Sequence, residues 1–250
     1  MAVSIKSARE IELMREAGKR LAHVHQELEA MIAPGISTWE IDAKGEKLIR
    51  DCGCIPNFLH YNGYPASICV SVNDEVVHGI PRKDRYLKEG DIVSLDAGLI
   101  YKGYHSDAAR THAVGKVSTE AQKLMDVTKQ SFFEGIKMAK EGHHLHDISR
   151  AIEEYVTPYG YGIVRDLVGH GIGTALHEDP QIPNYAQKRR GVRLQAGMTL
   201  AIEPMINAGT WQVRFLRDGW TVVTKDGSLS AHYENTILVT DGEPEILTLY

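Results

Sequence analysis

Asp96 and Asp107 sit in strand-like runs of otherwise apolar or small residues, Val93-Ser94-Leu95-Asp96-Ala97-Gly98 and His105-Ser106-Asp107-Ala108-Ala109, on either side of Tyr101-Lys102-Gly103. The two runs read as a hairpin. If the turn centres on Tyr101-Lys102, the carboxylates are directly opposed. If it centres on Lys102-Gly103, they become diagonal neighbours, still on one face because side chains alternate with a period of two. Like charges placed this way repel, so the pair needs a shared proton, a basic partner or bound cations. Cations are the simplest answer. A lone Asp of this kind is more often an exposed strand end or a turn cap, so the pair has to be weighed with the rest of the chain.

Two further acids interrupt apolar runs: Glu203 in Leu200-Ala201-Ile202-Glu203-Pro204-Met205, and Glu234 before Asn235-Thr236-Ile237-Leu238-Val239. An isolated buried carboxylate is costly enough that it neutralises or finds a partner. A fifth element is Gly169-His170-Gly171-Ile172-Gly173, where glycines let other backbone approach the histidine closely. Alone, such a histidine is more often a satisfied turn or core residue. Four carboxylates with one imidazole, however, suit a pair of divalent transition ions, which would lower the pKa of a shared water. His78, in Val77-His78-Gly79, and His177, shortly after His170, are candidates for polarising a carbonyl or holding a departing nitrogen. His143, His144 and His146 are dense in sequence but lack flanking acids, and read as a solvated cluster.

Organisation supports a large enclosed core. The chain has 250 residues, 43% hydrophobic and 24% charged, within the ordinary globular range. Its 28 basic and 33 acidic residues give a net charge of -5 without a basic run, so a nucleic-acid substrate is not expected. Three cysteines, Cys52, Cys54 and Cys69, match neither a zinc spacing nor a disulfide framework. With no apolar N-terminal segment or membrane-length run, a cytoplasmic location without membrane attachment is expected. Ser7-Ala8-Arg9-Glu10 and Ser37-Thr38-Trp39-Glu40 are capping boxes that open amphipathic helices. Strands are expected over 67–73, 91–100 and 104–114. Helices follow from about Ser118 to Ala139 and from Asp147 to Val156, then more strands, so the order of elements recurs. We expect an α+β fold forming one domain over 1–250, with the polar stretch His177 to Arg193 as a rim loop.

At these residues the chain resembles the type I methionine aminopeptidases of the compact bacterial kind. The matching segments are Ser71-Val72-Asn73 through His78-Gly79-Ile80-Pro81, Asp96-Ala97-Gly98, Asp107, Gly169 to Gly173 with His177-Glu178, Ile202-Glu203-Pro204-Met205, and Asp218-Gly219-Trp220-Thr221 through Glu234-Asn235-Thr236. The resemblance implies the pita-bread fold, two pseudo-symmetric halves with antiparallel sheet enclosed by helices. It implies two divalent metal ions, with Co, Mn, Fe, Zn or Ni all possible. Asp96 would chelate one ion, Asp107 and Glu234 would bridge both, and His170 with Glu203 would complete the second.

By the same resemblance, Glu203 would handle the proton of the attacking water, His177 would support the carbonyl oxygen, and His78 would contact the peptide nitrogen. The methionine pocket would be lined by Phe58, Tyr61, Tyr64, Cys69, Leu176 and Trp220, beside His78 and His177. Two of these depart from the family pattern: Leu176, a position commonly aromatic, and Phe58, commonly a cysteine. The expected partners are N-termini of nascent polypeptides, with transient ribosome association and a monomeric chain. Met1, ahead of Ala2, would itself be a substrate. The competing readings are a proline-directed aminopeptidase or prolidase of the same fold, and a noncatalytic binding module on it.

Overall fold

The structure, a computed structural model, describes residues 3–249, so the expectation about Met1 and Ala2 lies outside the described residues. Helices α1 (Ala8–Glu29) and α2 (Thr38–Asp51) open the chain, and α3 (Thr119–Ile136) and α4 (Leu145–Val156) form a second pair that begins near its middle. Both expected capping boxes form: Ser7 and Ser37 each accept from the backbone of Glu10 or Glu40, whose carboxylates bond back to the cap. Each such cap stabilises its helix by about 1 kcal/mol. Ser118 caps α3 in the expected place. Helix α4 starts two residues earlier than expected, because Asp147 is the third residue of the helix, where its carboxylate accepts from the His144 N–H at 2.9 Å.

Between the helix pairs run β1 (Ile55–Pro56), β2 (Ile68–Val72), β3 (Glu75–Val77), β4 (Ile92–Tyr101) and β5 (Tyr104–Ala113). After α4 come β6 (Gly162–Ile163), β7 (Gly169–Gly171), β8 (Glu178–Ile182), β9 (Thr199–Ile202) and β10 (Met205–Asn207). The chain closes with β11 (Val213–Phe215), β12 (Val222–Thr224), β13 (Ser230–His232), β14 (Glu234–Leu238) and β15 (Glu245–Ile246). Among the described residues the main sheet has nine strands, ordered β1-β4-β5-β14-β9-β7-β8, with β2 also pairing β4 and β15 also pairing β14. Its pairs are antiparallel. Two small sheets, β13-β10-β6 and β11-β12-β3, lie beside it.

Alternation along the strands separates core from site. In β4 the odd positions Val93, Leu95, Ala97 and Leu99 join Ala108 of β5 and Ile68, Val70 and Val72 of β2 in one apolar cluster. Helices α1 and α2 bury Leu21, Val24, Leu28, Ile41 and Ile49 against it. Each such side chain stabilises the fold by roughly 1.5–3 kcal/mol. In the other half, α3 and α4 pack Leu124, Phe132, Ile148 and Ile152 with Leu200, Ile202 and Ile237. The even residues of β4, Ser94, Asp96 and Gly98, face away from the helices. No helix among the described residues is long and apolar enough to cross a membrane.

The hairpin turns at Lys102-Gly103, the second of the two registers considered, with Tyr101 opposite Tyr104, because both turn residues adopt positive φ, 48° and 85°, as a type I′ turn demands. Asp96 and Asp107 are therefore diagonal neighbours on one face, as that register implies. Two expectations need correction. The stretch from His177 is not one rim loop: Glu178–Ile182 forms β8, paired with β7. Finally, His143, His144 and His146 are half-buried, not solvated. They pack under the segment after β8, where His146 Nδ1 lies 2.6 Å from the Arg189 carbonyl oxygen.

Candidate metal centre and substrate pocket

Strand register gathers the five candidate ligands on one face of the main sheet. Asp96 pairs with Ala109, and Ala109 pairs in turn with Glu234. Asp107, two residues before Ala109, shares its face. Across β14, Asn235 is level with Ile202, so Glu203, one residue past β9, comes beside Glu234. His170 pairs with Ala201, which has the same parity as Glu203. Glu203 itself lies in the break between β9 and β10 and not within a strand, and the break lets its carboxylate reach inward. The glycines beside His170 are needed for strand packing: a Cβ on Gly169 would lie 2.4 Å from the Ala201 oxygen, and one on Gly171 would lie 2.2 Å from the Asp179 oxygen.

The electrostatics of this cluster fit cations. Asp107, His170 and Glu234 are enclosed, while Asp96 and Glu203 open partly to a pocket. Burial pushes the carboxyl groups of Asp107, Glu203 and Glu234 well above the usual carboxylate range, and Asp96 up to about 7. Neighbouring acids add to the shift at Asp107, Glu203 and Glu234. Asp96 Oδ1, Asp107 Oδ1 and Glu234 Oε1 are buried without a hydrogen-bond partner. Each orphaned acceptor costs about 1–3 kcal/mol.

His170 Nδ1 donates to the Gly171 carbonyl at 2.9 Å, which leaves the Nε2 lone pair directed at the acids. Nε2 is 3.6 Å from Glu203 Oε1 and 4.0 Å from Asp107 Oδ2. Burial drives this imidazole down to about 3, with His177 pushing the same way, so it is a neutral donor at physiological pH. Carboxylate oxygens with unmet acceptor capacity and a neutral imidazole form a donor set that suits divalent transition ions.

The pocket beside the cluster has a volume of about 260 Å³, and every residue proposed from the sequence for metal, catalysis or substrate lines it. Its apolar wall carries Phe58, Tyr64, Cys69 and Leu176, with Tyr61 and Trp220 partly buried against them. Tyr64 meets Trp220 edge-on at 5.1 Å between ring centroids, and its hydroxyl donates to the Gly79 carbonyl at 2.9 Å. That bond anchors the loop carrying His78, whose own backbone is left-handed at φ 59°. Burial, then the nearby His177, lowers the His78 pKa to about 4. Asp218 holds the Trp220 loop by accepting from the N–H groups of Trp220 and Thr221, both at 2.9 Å.

Two residues here were not singled out in the sequence. Asn62 lines the pocket at its mouth, in a turn with φ 49° that nothing in its polar surroundings announces. His232 is buried, with Nε2 3.8 Å from both Glu203 Oε2 and Glu234 Oε2. The one available signal was its position two residues before Glu234.

The profile of metallopeptidase family M24 matches residues 12–241. The chain belongs to this family. Among M24 relatives, the methionine aminopeptidase of Clostridium acetobutylicum is 54% identical to it over 99% of each chain. The crystal structure of methionine aminopeptidase from Thermotoga maritima covers 100% of both chains, with a TM-score of 0.97 and 46% identity. These likenesses place the chain with the methionine aminopeptidases of M24. The prolidase of Pyrococcus furiosus superposes with a TM-score of 0.78 at 24% identity, and the match covers 98% of this chain but 65% of that one, a likeness of fold alone. The expected α+β pita-bread fold is the one these M24 structures share.

Proposed function

We propose that this chain hydrolyses the first peptide bond of polypeptides that begin with methionine followed by a small residue, using two divalent metal ions. The observation that carries the reading is the meeting, in one pocket, of a carboxylate–imidazole cluster with orphaned acceptors and an aromatic, apolar wall. Asp96, Asp107, His170, Glu203 and Glu234 would hold the ions, Asp107 and Glu234 from the centre of the cluster. Manganese, iron, cobalt, zinc or nickel suits these donors. When bound, such ions supply Lewis acidity and make a nucleophile available from water at neutral pH.

The remaining chemistry belongs to side chains. Glu203 takes the proton of the attacking water and returns it to the departing nitrogen. The Tyr61 hydroxyl lies 2.8 Å from His177 Nδ1. If Tyr61 donates, Nε2 carries the ring proton and donates to the carbonyl oxygen as charge develops there. His78 contacts the peptide nitrogen. Phe58, Tyr61, Tyr64, Cys69, Leu176 and Trp220 surround the methionine side chain, whose thioether gains from aromatic edges. The whole chain acts as one catalytic domain, a cytoplasmic monomer that meets nascent N-termini at the ribosome.

Turnover of Met-Ala-Ser and of Xaa-Pro peptides, with metal titrated into stripped protein, tests the reading. Metal-dependent release of methionine, with Xaa-Pro left intact, is expected. Preference for Xaa-Pro would make the chain proline-directed, and no turnover of either would make it a binding module.

A further inference from the structure

His232 takes no part in the chemistry described so far. Its backbone is fixed on two sides, by pairing with Met205 and by Thr111. The Thr111 hydroxyl oxygen accepts from the His232 N–H at 2.8 Å, and the hydroxyl donates to the His232 carbonyl at 2.8 Å. The residue is 1% exposed, yet neither ring nitrogen has a hydrogen-bond partner. A buried polar side chain left so is uncommon and calls for a ligand, a water or an ion.

Geometry selects among these. Nε2 stands 3.8 Å from Glu203 Oε2 and 3.8 Å from Glu234 Oε2, too far for hydrogen bonds. Ligands bound to one ion at about 2.0–2.2 Å are themselves roughly 3–4 Å apart, and that is the separation found. Donor atoms of Glu203, His232 and Glu234 all lie within 4.8 Å of one another, as do those of Asp107, His170 and Glu234. The two triads share Glu234.

We propose that His232 Nε2 is a donor to an ion held with Glu203 and Glu234, giving the centre a second imidazole beside His170. The assignment rests on the metal reading above and adds one ligand to it. A second nitrogen raises the preference for zinc, nickel or cobalt over manganese and magnesium, which favour oxygen.

The test uses full-length protein stripped of metal and reloaded with Co(II), followed by visible absorption, by calorimetric titration and by X-ray absorption at the cobalt edge. In the unmutated protein two imidazoles per pair of ions are expected. In His232→Gln, one of two binding steps should weaken by about tenfold or more, the ligand-field bands should shift, and the other step should stay within about twofold. His232→Asn serves if the glutamine variant fails to fold, and the edge measurement on unmutated protein needs no variant. Two bound ions with a single imidazole, or bands and affinities unmoved by substitution, would overturn the assignment of His232 alone. Failure of the unmutated protein to bind Co(II) would overturn the metal reading and this inference with it.

Discussion

The rings of His170 and His177 meet edge-on, with centroids 4.3 Å apart, so a histidine facing the acids touches one facing the pocket mouth. The contact separates two roles that removal can tell apart. His177→Ala should lower kcat on the order of 10²–10³, as loss of one oxyanion donor does, while bound metal measured by atomic absorption is unchanged. Tyr61→Phe, which leaves the ring in place and frees Nδ1, should cost less. Loss of metal in His177→Ala would show that His177 is a ligand.

Asp107 and Glu234 lie at the centre of the cluster, each within reach of His170. Asp107→Ala or Glu234→Ala should therefore abolish metal binding and peptide turnover together. Full activity in either variant would remove the basis of the mechanism.

Leu176 is buried in the pocket wall beside Phe58 and Tyr64. An apolar slot of this kind admits an unbranched thioether and discriminates weakly against a near-isostere. Norleucine should be the best substitute for methionine, and valine a poor one. Leu176→Phe should fill one wall and raise the kcat/KM ratio for Met- over Phe-initiated peptides. Equal ratios before and after would show that Leu176 does not contact the first side chain.

Metal-free protein should respond to pH through the same carboxyl groups. Folded, Asp96 titrates at about 7 and its three neighbours are also raised, whereas unfolded carboxyls ionise near about 4. The folded state then binds more protons, so stability falls as pH rises through that interval. Buried His25, His170 and His232 and half-buried His78 and His112 have lowered pKa values, so they act the other way. Their contribution rises with pH and is complete once the unfolded imidazoles are neutral, above about 6.5. From about pH 7 to 8.5 the raised carboxyls and the raised thiols of Cys54 and Cys69 act in the same direction, and Tm should decline there, with excess Mn(II) removing the carboxyl part of the decline. A flat metal-free profile would mean that the acids ionise freely.

How much of this was legible follows from which signals are local. Capping boxes at Ser7 and Ser37 and the parity of Asp96 and Asp107 depend on neighbouring residues, and all appear in the fold. The exact register depended on a lysine adopting positive φ, a conformation that side chains with a Cβ resist, and propensity points away from it. Strand β8 reads Glu-Asp-Pro-Gln-Ile, with no apolar alternation, and forms because β7 offers it an edge. His232 came beside Glu203 through the pairing of β13 with β10, a contact that only its spacing of two from Glu234 hinted at.

The alternation of β4 and β5 has a consequence for how such a chain can change length. Each strand gives one residue to the helices and the next to the carboxylate face, so inserting or deleting a single residue between Ile92 and the turn would point Asp96 at Leu21 and Val24 and turn Leu95 or Ala97 toward the metal face. Core and centre would fail in the same event. Changes at Lys102-Gly103, outside both strands, carry no such penalty, so length variation in this hairpin should be confined to its tip or occur in steps of two.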